Sequence, residues 1–196
     1  MLASGLDLPE TCSGPTTFMI FDRRSVLFGP AACGMAQLFP AAAWADIPER
    51  RLAFRNLHNS EHIDICYFSG GRFRRDGIAE LNHFMRDWRT GEAIRMDTSL
   101  LDALVLLQAA TGADKRAYFT LISGYRSPRT NGRLHRSSSG VASKSQHVLG
   151  KAVDIRLKNV RLTNLHKAAL SLRAGGVGYY PESNFVHVDT GRVRHW

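Results

Sequence analysis

The run Ser145-Gln146-His147-Val148-Leu149-Gly150-Lys151-Ala152-Val153-Asp154-Ile155 constrains the fold more than any other stretch of this chain. Residues 151–157 alternate as a strand does. Val153, Ile155 and Leu157 fall on one side; Ala152, Asp154 and Arg156 fall on the other. A strand that packs its Val/Ile side into a core must carry Asp154 on the opposite face. Gly150 allows a tight turn just before it, so His147 and Asp154 can face one point. A second imidazole, His187, lies in another strand-like run, Asn184-Phe185-Val186-His187-Val188-Asp189.

Two imidazoles and one carboxylate are a donor set for Zn2+ that leaves the fourth position to water. The ion would bring the pKa of that water to about 7 and polarise a carbonyl. On spacing alone, a His with an Asp seven positions later also fits a satisfied core His–Asp pair. Both readings stand at this level.

The rest of the chain supplies one α+β domain from about residue 46 to 196. Residues 51–57 and 61–68 alternate as two strands of a hairpin around His58-Asn59-Ser60, with His58 and His62 at its surface. Ile78, Leu81, Phe84, Met85 and Trp88 give helical spacing over 76–90, with His83 off that face. Asp97 reads as the N-cap of a second helix over 99–110, which Gly112 ends. Residues 117–123 form a strand rich in aromatic and β-branched side chains. The segment 127–144 shows no apolar period and reads as a long basic loop, a candidate wall for a groove. Its cations, Arg129, Arg133, Arg136 and Lys144 together with Arg126 before it, suit substrate carboxylates. A helix over 162–174, stopped by Gly175-Gly176, and two short strands, 177–180 and 184–189, complete the domain.

The first 45 residues read differently. From Met19 a charged start with Arg23-Arg24 precedes an apolar, Ala-rich run and then Ala43-Trp44-Ala45. That order is a secretory signal cleaved after Ala45, and the paired arginines point to twin-arginine export to the periplasm. Gly29, Pro30, Gln37 and Pro40 interrupt the run, so no stable membrane insertion is expected after cleavage. Met19 is a candidate true start. Of the three cysteines only Cys66 falls outside this region, which leaves no disulfide framework; it reads as a small apolar core residue.

The formal net charge is +9, and the basic excess lies in the mature part. Such a surface favours a polyanionic partner. Nucleic acid is set aside, because no recognition helix with interleaved aromatics is present and an exported protein rarely meets it.

The Ser-x-His-x6-Asp run followed by a distal strand His resembles the LAS-type zinc peptidases, which include lysostaphin-type enzymes, D-alanyl-D-alanine carboxypeptidases and the hedgehog signalling domain. Ile122-Ser123-Gly124-Tyr125-Arg126-Ser127, the stretch 174–180, the stretch 185–191 and the terminal Arg194-His195-Trp196 are similar to one branch, the exported murein endopeptidases of the MepK type. The resemblance implies a small antiparallel sheet carrying a zinc site, with flanking helices. It implies His147, Asp154 and His187 as ligands, and hydrolysis of peptidoglycan crosslinks of the kind that joins two diaminopimelate residues. Arg126 matches an arginine that stabilises the developing oxyanion in relatives. Ser145 and Tyr125 are the residues expected to contact substrate. Many relatives place an acid or His three positions before the last ligand as general base; here Asn184 stands there. Asp189 shares a strand face with His187 and is the substitute, either as the group that activates the water or as one that orients His187. His195 and Glu182 are weaker candidates for proton transfer. Two alternatives remain: a zinc-stabilised peptidoglycan-binding module without turnover, favoured by Asn184, and a D,D- or L,D-carboxypeptidase.

Overall fold

A computed structural model describes residues 48–114, 116–137 and 140–196. The expected leader, its Met19 start and its cleavage site lie outside these residues. Among the described residues, no helix is long and apolar enough to cross a membrane.

Eight strands form one sheet in the order β3-β2-β1-β4-β5-β7-β6-β8. They are β1 (Arg50–Asn56), β2 (His62–Ser69), β3 (Arg72–Phe73), β4 (Phe119–Ser123), β5 (Ala152–Leu157), β6 (Gly176–Tyr180), β7 (Phe185–Asp189) and β8 (Arg194–His195). The run β4-β5-β7-β6 is antiparallel throughout, and parallel pairs β1/β4 and β6/β8 extend it. The helices are α1 (Arg75–Phe84), α2 (Thr98–Ala110), α3 (Pro128–Ser137) and α4 (Leu162–Leu172), and a 3-10 turn spans Gln146–Leu149. The α+β class and the expected hairpin are both present. Two short edge strands, β3 and β8, carry too few residues to show a period of their own.

The sheet has one dry face and one polar face. On the dry face Leu52, Phe54, Phe119, Leu121, Val153, Ile155, Val186 and Val188 pack against Leu100, Leu101, Leu104 and Leu107 of α2 and Leu165 of α4. Each of these fully buried side chains contributes about 1.5–3 kcal/mol. Cys66 is buried, as its apolar reading required. The alternate residues point the other way: Arg55, Thr120, Asp154, Arg156, His187 and Gly178 lie on the polar face.

Three elements differ from their sequence reading. Helix α1 stops at Phe84, not at residue 90. Asp87 turns inward, takes the Ser127 backbone N–H (3.0 Å) and hydroxyl (2.8 Å), and its backbone closes a turn with Thr90 and Gly91. Trp88 is then free of the helix and stacks on His58 at 4.2 Å. The segment read as a loop from 127 contains helix α3. Pro128 has the φ of a first helical residue, and the Ser127 hydroxyl accepts the Thr130 N–H at 3.2 Å, so the helix starts from its cap and not from an apolar stripe. Helix α4 ends earlier than expected, at left-handed Arg173 (φ 51°). Asp97 caps α2 as read, accepting the Ser99 N–H at 2.9 Å.

Candidate metal centre

Asp154 on β5 and His187 on β7 are direct cross-strand partners on the polar face. The 3-10 turn delivers His147 to the same point. Ser145 begins that turn and its hydroxyl accepts the His147 N–H at 3.3 Å; Gly150 ends it in the left-handed region at φ 67°. A side chain at Gly150 would be strained there and would press on the Arg95 carbonyl oxygen. Asp97 ties this hinge down: its N–H donates to the Gly150 carbonyl (2.9 Å) and its carboxylate accepts the Thr190 hydroxyl (2.8 Å). The helix cap therefore links the segments that carry His147 and His187.

His147, Asp154 and His187 are 1%, 3% and 8% exposed. Their facing atoms form a small triangle. His147 Nε2 is 3.2 Å from Asp154 Oδ1 and 3.2 Å from His187 Nδ1, and His187 Nδ1 is 2.9 Å from Asp154 Oδ1. Ligands about 2.0–2.1 Å from a tetrahedral zinc stand about 3.3 Å from one another. The donor set fits that ion in chemistry and in spacing.

The remaining ring nitrogens explain which atoms face inward. His147 Nδ1 lies 2.7 Å from the Gly124 carbonyl oxygen, which can only accept, so Nδ1 carries the proton and Nε2 is left with a lone pair. His187 Nε2 lies 3.1 Å from Asp189 Oδ2, so the proton sits there and Nδ1 faces the cluster. Burial pushes His147 below the ordinary histidine range, which keeps it neutral. Burial would also lower His187, but hydrogen bonds to Asp154 and Asp189 outweigh it and raise the group. A metal would displace that proton. Burial works against ionised Asp154, yet His147 and His187 hold its carboxyl well below the usual range.

The structure brings Arg126 to the centre. Its guanidinium pairs with Asp154 Oδ2, and its Nε donates to the Ser123 hydroxyl at 2.8 Å. Asp189 stands behind His187, not beside an open position. Its Oδ1 accepts the Gly176 N–H (2.9 Å) and the Gly191 N–H (2.8 Å), its Oδ2 takes Arg194 at 2.7 Å, and it is fully buried. Of the two roles expected for Asp189, its contacts suit the orienting one and leave no free oxygen for proton transfer. Gly175-Gly176, read as a helix stop, also makes room for Asp189: a Cβ at Gly176 would collide with its carboxylate and with Arg194, and one at Gly175 with its backbone carbonyl.

Other expectations separate from the centre. Tyr125 is 7% exposed and packs against the apolar core. Ser145 is half-buried and its hydroxyl serves the backbone of His147. His195 pairs in register with Val177, whose side is the dry one, so it lies across the sheet from the cluster and close to His166. Asn184 sits in the exposed turn before β7 with φ 52°, a conformation asparagine tolerates well. Glu182 is exposed in the same turn. Sequence reasoning missed Asp97, Arg194 and the Gly124 carbonyl as supports of the cluster. The first looks like an ordinary cap, and a backbone acceptor has no side-chain signal.

A family model described as peptidoglycan L,D-endopeptidase MepK matches residues 45–196. The peptidoglycan L,D-endopeptidase MepK of Escherichia coli (strain K12) is 47% identical over 176 residues, covering 89% of this chain and 96% of that protein. The probable peptidoglycan L,D-endopeptidase MepK of Haemophilus influenzae is 39% identical over 176 residues, covering 89% of this chain and 94% of that protein. No solved structure matches. With its His-Asp-His cluster held on a sheet of this order, the chain belongs to the peptidoglycan L,D-endopeptidase MepK family of M15 murein peptidases.

Proposed function

We propose that this chain is an exported, zinc-dependent endopeptidase that hydrolyses peptide crosslinks of peptidoglycan. The observation that carries the reading is the triangle of His147 Nε2, Asp154 Oδ1 and His187 Nδ1, with edges of 2.9–3.2 Å, in a chain of this family. Bound zinc would supply an activated water and a Lewis acid. The protein's own part is to hold that donor set without reorganisation. The Gly124 carbonyl fixes the His147 ring, Asp189 fixes the His187 ring, and Arg126 neutralises the second oxygen of Asp154. A guanidinium has five N–H donors, so Arg126 keeps others for the developing oxyanion of the scissile amide. Ser145 acts through His147, and Asp189 is a positioning residue.

Peptidoglycan from a deletion host, digested with zinc-loaded protein and with Asp154→Ala, tests the reading by mass spectrometry of the fragments. Wild type should release crosslink-cleaved products and the variant none. Equal products from both would remove the site assignment. N-terminal sequencing of the exported protein tests the leader: a start at Asp46 is expected.

One observation favours a second reading, a wall-binding module without turnover. Asn184, which cannot act as a base, stands where relatives place one, and of the candidates to move a proton Asp189 is saturated, His195 lies on the opposite face and Glu182 is exposed in the turn before β7. Binding of sacculi without released fragments would establish that reading over the first.

A further inference from the structure

The polar face of the sheet continues past the metal cluster into a cationic groove of about 360 Å³. Arg156 is two residues beyond Asp154 on β5 and shares its face, about 6–7 Å along the strand. Its cross-strand neighbour is Thr120 on β4, and the next in register is Arg55 on β1. Lys158 follows β5 and lies 4.9 Å over the ring of Tyr118. All five residues line the groove.

Three cations on one polar surface would ordinarily be a solvated face. Two observations argue otherwise. None of the three makes an ion pair among the described residues, so their charge is open to an outside anion. Arg156 is also half-buried, and its Nε is shut off from solvent with no hydrogen-bond acceptor. With Nε buried, the outer N–H groups of Arg156 are those left to the groove, and an incoming anion gains charge-assisted hydrogen bonds from them. Arg55 and Arg156 flank Thr120 across three strands, about 10 Å apart at the backbone. Two side chains of that length can close on one carboxylate between them, with the Thr120 hydroxyl as a further donor.

We propose that the groove formed by Arg55, Thr120, Arg156 and Lys158 is a second substrate-contacting site, which takes a free carboxylate of the peptide whose crosslink is cut. The proposal rests on the peptidase reading above. A substrate lying along β5 places its scissile bond at the cluster and a carboxylate about one residue further on, over Arg156. The groove would then select stem peptides that keep their carboxylates over amidated ones, and fix the direction in which the peptide crosses the sheet.

The test compares wild type with Arg156→Gln and with the exposed-residue variant Arg55→Gln, each checked for zinc content and thermal midpoint. The probes are one crosslinked muropeptide dimer with free carboxylates, its amidated form, and the uncrosslinked stem peptide for equilibrium binding. The expected result is a KM and a stem-peptide Kd about 10-fold higher in each variant, with kcat within about 2-fold. Amidation should cost wild type a similar factor and the variants little. If wild type cuts both dimers equally well and neither substitution changes KM or Kd, the groove proposal is overturned while the peptidase reading stands. If wild type cuts neither dimer but the variants still lose stem-peptide binding, the groove stands and the peptidase reading falls.

Discussion

His187 Nε2 and Asp189 Oδ2 lie 3.1 Å apart on one face of β7, with the carboxylate fully buried behind the imidazole. Residues two apart in a strand share a face, so one short segment supplies both a nitrogen that faces the cluster and the acceptor that fixes its ring. Such partners orient the ligand and raise its basicity. Asp189→Asn keeps the shape but loses the charge. It should lower zinc affinity by about 10–100-fold, read by competition with a chromogenic chelator. Unchanged affinity would show that Asp189 only braces Arg194 and the β6 backbone.

Metal removal should be visible in stability as well as in activity. A ligand present at 100 times its Kd stabilises the folded form by about 2.7 kcal/mol. For a chain of this size that is a rise of about 5–10 °C in Tm. Chelator-stripped protein should therefore melt lower and recover on addition of zinc. Asp154→Ala, lacking the anionic donor, should show almost no zinc-dependent shift. A shift of equal size in both proteins would place the stabilising ion elsewhere.

The cluster was legible in sequence because its geometry follows from strand alternation. Val153 and Ile155 have to face the core, so Asp154 has to face away, and the same holds for Val186 and Val188 around His187. Its supports were much less legible. Asp87 sits inside what reads as an apolar helical stripe, yet its carboxylate ends α1 and caps the start of α3 across 40 residues. Helix α3 itself has no apolar period, because it buries Thr130 and Asn131 in place of hydrophobic residues. Tyr125 follows Gly124, whose carbonyl holds the His147 ring, yet its own side chain packs against the core. Long-range polar contacts of this kind carry no periodicity, so only the folded chain shows them.

Gly178 is the cross-strand partner of His187, and the rings of Trp196 and Tyr180 lie against it. An added Cβ would come within 2.7 Å of the Trp196 ring and 2.8 Å of the Tyr180 ring. Trp196 sits 5.3 Å from the His187 ring, donates from Nε1 to the Tyr180 hydroxyl at 2.7 Å, and its carbonyl accepts the Tyr179 N–H at 3.0 Å. Trp196 thus flanks the His187 imidazole. Gly178→Ala, and separately a C-terminal tag, should each reduce kcat/KM by about 10-fold or more and alter tryptophan fluorescence, at unchanged zinc content. Full activity in the tagged protein would mean that the aromatic wall tolerates displacement.

Asp87 gives a prediction in pH. Burial pushes its carboxyl up, but the hydrogen bonds around it, from Ser127 and the Arg89 N–H, outweigh burial and hold it below the ordinary carboxylate range. A folded pKa below the unfolded value of about 3.9 means that the ionised form is preferred by the folded protein. This stabilisation is complete above the unfolded value and is lost as pH falls through the folded one. Asp87→Asn cannot ionise and loses one acceptor, so at pH 7 it should cost about 1–3 kcal/mol. The gap to wild type should narrow below about pH 4, measured by denaturant melts at several pH values. Because Ser127 follows Arg126 directly, the same variant should also loosen the turn that presents the guanidinium to Asp154, and kcat should fall at pH 7. A stability gap that holds constant or widens in acid would show that shape, not charge, makes Asp87 the end of α1.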